Sequence, residues 1–416
     1  MGKLFSKSSK TKAQDISSAF DEFLKNVKNE RIIPQKYITM IQSYLKRGDT
    51  RRAVYVIRDA LKEIEKVPIN VAVTGEAGAG KSSFINALRG VRNDEDNAAP
   101  TGVIQTTEER VSYKHPVISN VVIWDLPGTG TVTFPAQKYP KEMKFDEYDC
   151  FIILSCTRFK KNDAQLAKLI HKMKKNLYFV RTKVDNDLHN QKLCKPNNFN
   201  RDHVLQLIQD DCLQHLKKAE VADPRVFLIS NLDVSDYDFS ELAHTLSREL
   251  PAQKRLNFML SLPSITNKII EHKMKVLMQK IWLEAIIDFV LGIFSPESIN
   301  DNDEGMFRDT LNKFRILFSL DDTSLRRMAQ NLKVSVEELK LGMKSAHLLT
   351  CEKGNYQNST NTLKYFSVSE HILIPSICIT KKVLVQVYVL YLVAEDAKTL
   401  LKNEKIFRYY VDSLQA

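Results

Sequence analysis

The residues TGEAGAGKSS, 74–83, set three glycines, a lysine and two serines at the spacing that holds a chain of phosphates. Gly75, Gly78 and Gly80 let the N–H groups around Glu76, Ala77 and Ala79 turn inward as an anion nest. The helix expected next, SSFINALRG, adds the partial positive charge of its N-terminus. Lys81 suits the β- and γ-phosphates, and the Ser82 hydroxyl suits Mg²⁺. Downstream, Asp125-Leu126-Pro127-Gly128 closes the apolar run VVIWD. A carboxylate there can hold the water shell of Mg²⁺, and the Gly128 N–H can sense a γ-phosphate. Thr182-Lys183-Val184-Asp185 follows a further apolar run, LYFVR. An ionised carboxylate only accepts hydrogen bonds, so Asp185 matches the two adjacent N–H groups of guanine, a pair that adenine lacks. A site built for such donors rejects the analogue without them. Ser230-Asn231, after RVFLIS, then closes over the base. Each motif alone has a plainer reading as a turn or a helix cap. In this order, each after its own strand, they specify a GTP-binding domain whose ligands are GTP or GDP and Mg²⁺.

Hydrolysis is a separate question. A glutamine that orients the attacking water often follows D-x-x-G, but here Thr129-Gly130-Thr131 stands in that place. Slow intrinsic turnover follows. Arg92 and Arg158 are the nearby arginines, and surface arginines are more often solvated than catalytic. Between Arg92 and Arg110, NDEDNAAPTGVIQTTEE reads as a switch loop. Pro100 and Gly102 punctuate it, and Thr101, Thr106 and Thr107 offer hydroxyls. Loops of this kind order on the γ-phosphate and relax after hydrolysis.

The elements that must carry these motifs follow from periodicity. INVAVT (69–74), NVVIWDL (120–126), CFIILS (150–155), LYFVRT (177–182) and RVFLIS (225–230) are short, apolar and rich in β-branched residues, with helical segments between most of them. That predicts a parallel sheet covered on both faces, with ERVSYKH (109–115) as an added edge strand. Residues 15–66 show helical spacing, with Ile16, Phe20, Phe23, Leu24 and Val27 on one face. Pro34 suits the first turn of a second helix, and a third runs from Arg51 to Lys66. After residue 250 helical periodicity returns, with cap chemistry at Asp321–Ser324 and a Ser335/Glu338 capping box. CEKGNYQNSTNT (351–362) reads as a loop. The fold class is α/β: a P-loop domain with a mostly parallel six-stranded sheet between helical N- and C-terminal segments, which are each too short to bury much alone and can pack together as one all-α domain. Its boundaries are a flexible basic terminus over 1–14, helices over 15–66, the GTPase domain over 67–250, and the C-terminal helical domain over 251–416.

The chain has 416 residues, a formal charge of +11 and six scattered cysteines with no C-x-x-C pair, which suits buried free thiols in a reducing compartment. The apolar runs 281–294 and 372–394 fail as membrane spans. The first carries Glu284 and Asp288, and Lys381-Lys382 splits the second. No secretory h-region opens the chain, so a soluble protein, at most membrane-attached, is expected. Met1-Gly2-Lys3-Leu4-Phe5-Ser6 fits N-myristoylation at Gly2. Lys3, Lys7, Lys10 and Lys12 supply the second, electrostatic signal that one acyl chain needs for stable attachment. The positive charge also suits an RNA-binding GTPase, but no RNP-type strand or G-x-x-G loop accompanies it, and no nucleic-acid partner is expected.

VAVTGEAGAGKSSFINALRG, AAPTGVIQTTEER, VVIWDLPGTGT, MKFDEYDCFIILSCTRFKKNDAQLAK and YFVRTKVD together resemble the immunity-related GTPases, an interferon-inducible family. LDDTSL (320–325) and AEDAKTLLK (394–402) extend the likeness into the C-terminal helices. Lys81 places the chain with the GKS subclass, as opposed to relatives with methionine there. The resemblance implies a dynamin-like GTPase with a Ras-like domain beside an all-α helical domain formed by the N- and C-terminal segments, and one that self-associates, and associates with related GTPases, through its GTPase faces when GTP is bound. Assembly accelerates hydrolysis in that family, whose members load onto vacuoles around intracellular pathogens from the cytoplasm. Carried across, the phosphate loop is Gly75–Ser83, ending in Ser82 and Ser83. Asp125 is the magnesium residue and Asp185 the base reader. Thr101 and Thr107 match switch positions that pathogen kinases target. Relatives commonly carry glutamate where this chain has Gln105, and the family ties that acidic position to dimer-stimulated hydrolysis. An amide can orient water but cannot act as a base. A GTP-gated, non-hydrolysing partner of related GTPases is therefore the alternative reading.

Overall fold

The structure is a computed structural model and describes residues 9–102, 109–127, 139–157, 159–234, 236–291, 303–345 and 381–415. It forms two compact units: Pro68–Leu250 with Ser261–Ile265, and Met1–Val67 with Pro251–Leu260 and Thr266–Ala416. Pro263 belongs with the first because its ring lies against Gly90, 3.5 Å from where a Cβ would stand.

Three helices come first in the chain. α1 (Ser9–Val27) begins ahead of Asp15, since Lys, Ala and Gln in the tail are good helix formers. α2 (Gln35–Lys46) is capped by Pro34 at φ −59°, so the proline stands before the first turn and not inside it. α3 (Thr50–Lys66) starts at Asp49, whose carboxylate accepts from the Arg52 N–H at 3.0 Å.

The sheet unit then runs through β1 (Ile69–Gly75), α4 (Lys81–Arg89), β2 (Val111–Lys114), β3 (Val121–Asp125), the short α5 (Tyr139–Glu142) and β4 (Cys150–Ser155). It continues through α6 (Lys161–Lys172), β5 (Asn176–Arg181), α7 (Val184–Cys194), α8 (Arg201–Lys218), β6 (Val226–Leu228) and α9 (Phe239–Glu249). The sheet order is β2-β3-β1-β4-β5-β6. All pairings are parallel except that of β2 with β3, so ERVSYKH does form the antiparallel edge. β4 is buried at every residue, because helices cover both faces. On one face Phe151, Ile153 and Phe179 pack against Leu166 and Ile170 of α6 and Leu216 of α8. On α4 and α9, Phe84 and Phe239 bring their rings within 6.1 Å. The chain leaves β1 toward β3 and leaves β4 toward β5. The crevice beyond the C-terminal ends of β1 and β4 is thus the switch point, where open α/β sheets bind ligands.

The remaining helices among the described residues are α10 (Ala252–Ser261), α11 (Asn267–Leu291), α12 (Asp303–Leu317), α13 (Asp322–Leu332), α14 (Val336–Lys340) and α15 (Lys381–Gln415). α11 packs on α3 and α15, and α12 on α15. Trp282 of α11 stacks on Phe23 of α1 at 4.1 Å with 6° between the planes, so N- and C-terminal segments share one core. Asn257 ties α10 to α3 by donating to the Ile64 carbonyl at 2.7 Å. Asp321 caps α13, and Ser335 with Glu338 closes the expected capping box at α14. Among the described residues no helix is long and apolar enough to cross a membrane. Cys150, Cys156, Cys194 and Cys212 are free thiols. The 351–362 stretch lies outside the described residues.

Candidate nucleotide-binding site

The phosphate loop leaves β1 at the switch point. Gly75 sits at φ +141°, and a Cβ there would meet the Leu154 carbonyl oxygen of β4 at 2.1 Å. Only glycine lets β1 and β4 approach this closely where the loop departs. Ala77 and Gly78 lie exposed at the apex, whereas Ala79 is buried. Gly80, at φ +86°, caps α4, and its carbonyl accepts the Phe84 N–H at 2.9 Å. The N–H groups of Lys81, Ser82 and Ser83 fall in the first turn, ahead of any intrahelical acceptor. Ser82 and Ser83 are half-buried there.

Lys81 folds back over the loop, donating to the carbonyls of Gly75 at 3.0 Å and Glu76 at 3.2 Å. Burial lowers its pKa, and the charge of Asp125 opposes that shift. Asp125 is itself buried at the end of β3, one strand from the loop and in register with Val73. The donor set, a serine hydroxyl and a carboxylate, consists of hard oxygens and fits Mg²⁺. A bound ion would supply charge neutralisation at the phosphates.

The base-reading side is laced to the phosphate loop. Thr182, fully buried, donates from Oγ1 to the Ala79 carbonyl at 2.8 Å, and its N–H donates to the Ser155 carbonyl at 2.9 Å. Lys183 takes a left-handed φ of +58° as the cap of α7, which swings Asp185, half-buried, into the first helical turn. Asn231 donates from Nδ2 to the Gly80 carbonyl at 3.1 Å. Ser230 accepts the N–H groups of Leu232 and Asp233, both at 3.2 Å, and so shapes its own turn. The structure therefore brings Gly75–Ser83, Asp125, Thr182–Asp185 and Ser230–Asn231 to one end of one sheet. Thr101 and Gly102 are exposed at the start of the switch loop. Gln105, Thr107, Gly128 and Gly2 lie outside the described residues, as does Arg158. Arg92 is engaged by Asp94 at 2.7 Å.

Several supporting residues escaped the sequence reading. Asn86, buried in α4, accepts the Ala99 N–H at 2.7 Å and donates to the Ala99 carbonyl at 3.0 Å. Arg89, one turn on, donates to the carbonyls of Asn97 and Lys114, each at 3.0 Å. The two side chains pin the chain entering the switch loop. Their signal was present as polar residues at i and i+3 on the buried face of FINALR. Tyr139 donates to the Pro127 carbonyl at 2.5 Å, holding the turn after Asp125, and burial pushes its pKa up to about 12. Lys160 pairs with Glu76, linking the phosphate loop to the start of α6. Arg181 donates to Asp187 at 2.6 Å and braces the turn that carries Asp185.

The family model of the interferon-inducible GTPases (IIGP) matches residues 34–404. The chain belongs to this family. Interferon-inducible GTPases hydrolyse GTP, and membership makes this chain a GTPase associated with immunity. It is 45% identical to mouse interferon-gamma-inducible GTPase 10 over 406 residues, 97% of each chain. With mouse interferon-inducible GTPase 1 it shares 43% identity over 408 residues, 97% of this chain and 99% of that one. Among solved structures, Aquifex aeolicus Era bound to GDP and AlF4⁻ aligns with a TM-score of 0.31 and 22% identity, covering 44% of this chain and 56% of that one. The Ras-like reading rests on the sheet order and the family match, not on that slight likeness.

Proposed function

We propose that this interferon-inducible GTPase turns over GTP slowly alone and faster when it assembles, and that it acts as a membrane-associated effector at pathogen-containing vacuoles. The observation that carries the nucleotide part is the Thr182–Ala79 bond, which locks the base-reading turn to the phosphate loop. In this reading the Gly75–Ser83 loop and Lys81 hold the phosphates, and Ser82 and Asp125 hold Mg²⁺. Asp185 reads guanine, while Ser230 and Asn231 close the base pocket. Thr101 and Thr107 are sites where added phosphate would put charge into the γ-phosphate sensor. Support for assembly and for the membrane comes from the sequence resemblance, the Met1-Gly2 start and the lysines behind it. Gln105 can orient the attacking water but cannot take its proton, so that step is left to what a neighbouring copy supplies on assembly.

The test is GTP turnover per molecule across a range of protein concentrations, with Gln105→Glu in parallel. Specific activity that climbs with concentration, and climbs further in Gln105→Glu, is the expected result. A rate per molecule independent of concentration would sink the assembly reading while leaving GTP binding intact. Flotation with liposomes, comparing acylated wild type with Gly2→Ala, checks the anchor.

A further inference from the structure

In the helical unit, α3, α11 and α15 enclose a cleft of about 340 Å³ whose polar lining is Arg58, Lys62, Glu65, Glu284, Asp288 and Lys382. The size is that of a small-molecule site, too small for a docked helix. Its three carboxylates are already engaged by protein donors. Asp288 accepts from Lys382 at 2.8 Å and Glu65 from Lys280 at 3.0 Å. Glu284 accepts from Gln386 at 3.4 Å and faces Lys280 at 3.9 Å. By contrast, neither Arg58, half-buried, nor Lys62, exposed at the rim, has a hydrogen-bond or ion-pair partner among the described residues.

Three cations and three carboxylates line the cleft, but Lys382 and, from beside it, Lys280 occupy the carboxylates and leave Arg58 and Lys62 uncommitted. Those two uncommitted cations, one of them an arginine fork free to bind two oxygens, match a dianion. A divalent cation finds no uncommitted ligand there.

We propose that this cleft binds a phosphate monoester dianion, carried either on a small soluble polyol or on a lipid headgroup. Arg58 grips it in bidentate fashion, Lys62 and Lys382 flank it, and the site is separate from the one that holds nucleotide. Either source makes it a second phosphate sensor, on the helical unit.

The experiment uses the full chain saturated with GDP, so that the nucleotide loop is occupied. Glycerol phosphate is titrated by calorimetry. In parallel, the protein is sedimented with phosphatidylcholine vesicles with and without phosphatidic acid, which carries the same monoester. Arg58→Ala and Lys62→Ala should each weaken binding, Arg58→Ala by about tenfold or more as its charge-assisted bonds are lost. Lys36→Ala, on α2 and paired with Glu63, should change nothing. An unaltered urea midpoint, read from the buried Trp282 of the helical unit, certifies each variant as folded. Glycerol phosphate binding that follows this pattern identifies a soluble ligand. Vesicle capture that needs phosphatidic acid and follows the same pattern, without soluble binding, identifies a headgroup. No binding in either arm, or binding that both cleft variants leave unchanged, overturns the proposal.

Discussion

Lys273 offers a perturbation whose size can be worked out beforehand. It sits wholly buried in α11, donates to the Leu317 carbonyl at the end of α12 at 2.6 Å, and lies 5.7 Å from the Phe318 ring. Burial lowers its pKa from 10.5 to about 7. In the unfolded chain the amine holds its proton through this whole interval, whereas the folded state releases it. The folded state binds fewer protons, so stability rises with pH. The slope is at most about 1.4 kcal/mol per pH unit and is about half that near pH 7, where the group is half titrated. From about pH 7 to about pH 9 Lys273 alone should add about 2 kcal/mol. Lys273→Met fills similar volume and removes this dependence. It leaves the Leu317 carbonyl without its donor, at a cost of about 1–3 kcal/mol that does not vary with pH. Any advantage of the methionine variant near pH 7 should therefore shrink by about 2 kcal/mol near pH 9. Urea unfolding followed by fluorescence reads this directly. The chain has two tryptophans, so Trp124→Phe in both proteins leaves buried Trp282 of the same helix as reporter. A stability gap between the two proteins that is the same at both pH values would refute the reasoning.

Other consequences follow from the nucleotide site. Thr182→Val keeps the shape but strands the buried Ala79 carbonyl, so it should cost about 1–3 kcal/mol by thermal or urea unfolding and weaken GDP binding several-fold. Gly75→Ala drives a methyl group into a backbone oxygen of β4. It should destabilise the sheet unit by about 1–3 kcal/mol, seen as a fall of several degrees in Tm, with loss of GDP binding in calorimetry. Asp185→Asn should lower GTP affinity at least about tenfold and gain affinity for xanthosine triphosphate, whose base offers an acceptor where guanine offers a donor. Burial raises the Asp163 carboxyl to about 6, with the charge of Glu76 adding and the Lys160 N–H opposing. Its stabilising contribution is complete below the unfolded carboxyl pKa of 3.8 and is lost as pH rises through about 6. Asp163→Asn should flatten that fall in a pH series of urea unfolding curves.

The nucleotide motifs were legible because their chemistry is local: glycine spacing, the strand before and the helix after lie within ten or so residues. The parallel sheet was legible for a related reason, since strands covered on both faces read as unbroken apolar runs. The strand order and the antiparallel edge rest on pairings between distant segments that no local pattern encodes. Asn86, Arg89 and Tyr139 hold the switch entry and the Pro127 turn through bonds to backbone carbonyls, and a carbonyl carries no residue identity for a sequence to display. Lys273 looks like an ordinary helical lysine until α12 closes over it. The charged cleft between α3, α11 and α15 exists only because residues far apart in the chain were brought together, leaving Arg58 without a partner. What the sequence alone determined was which groups could hold a guanine nucleotide. Tertiary structure decided how rigidly they are held and where charge is left over, because burial and pairing are properties of neighbours in space.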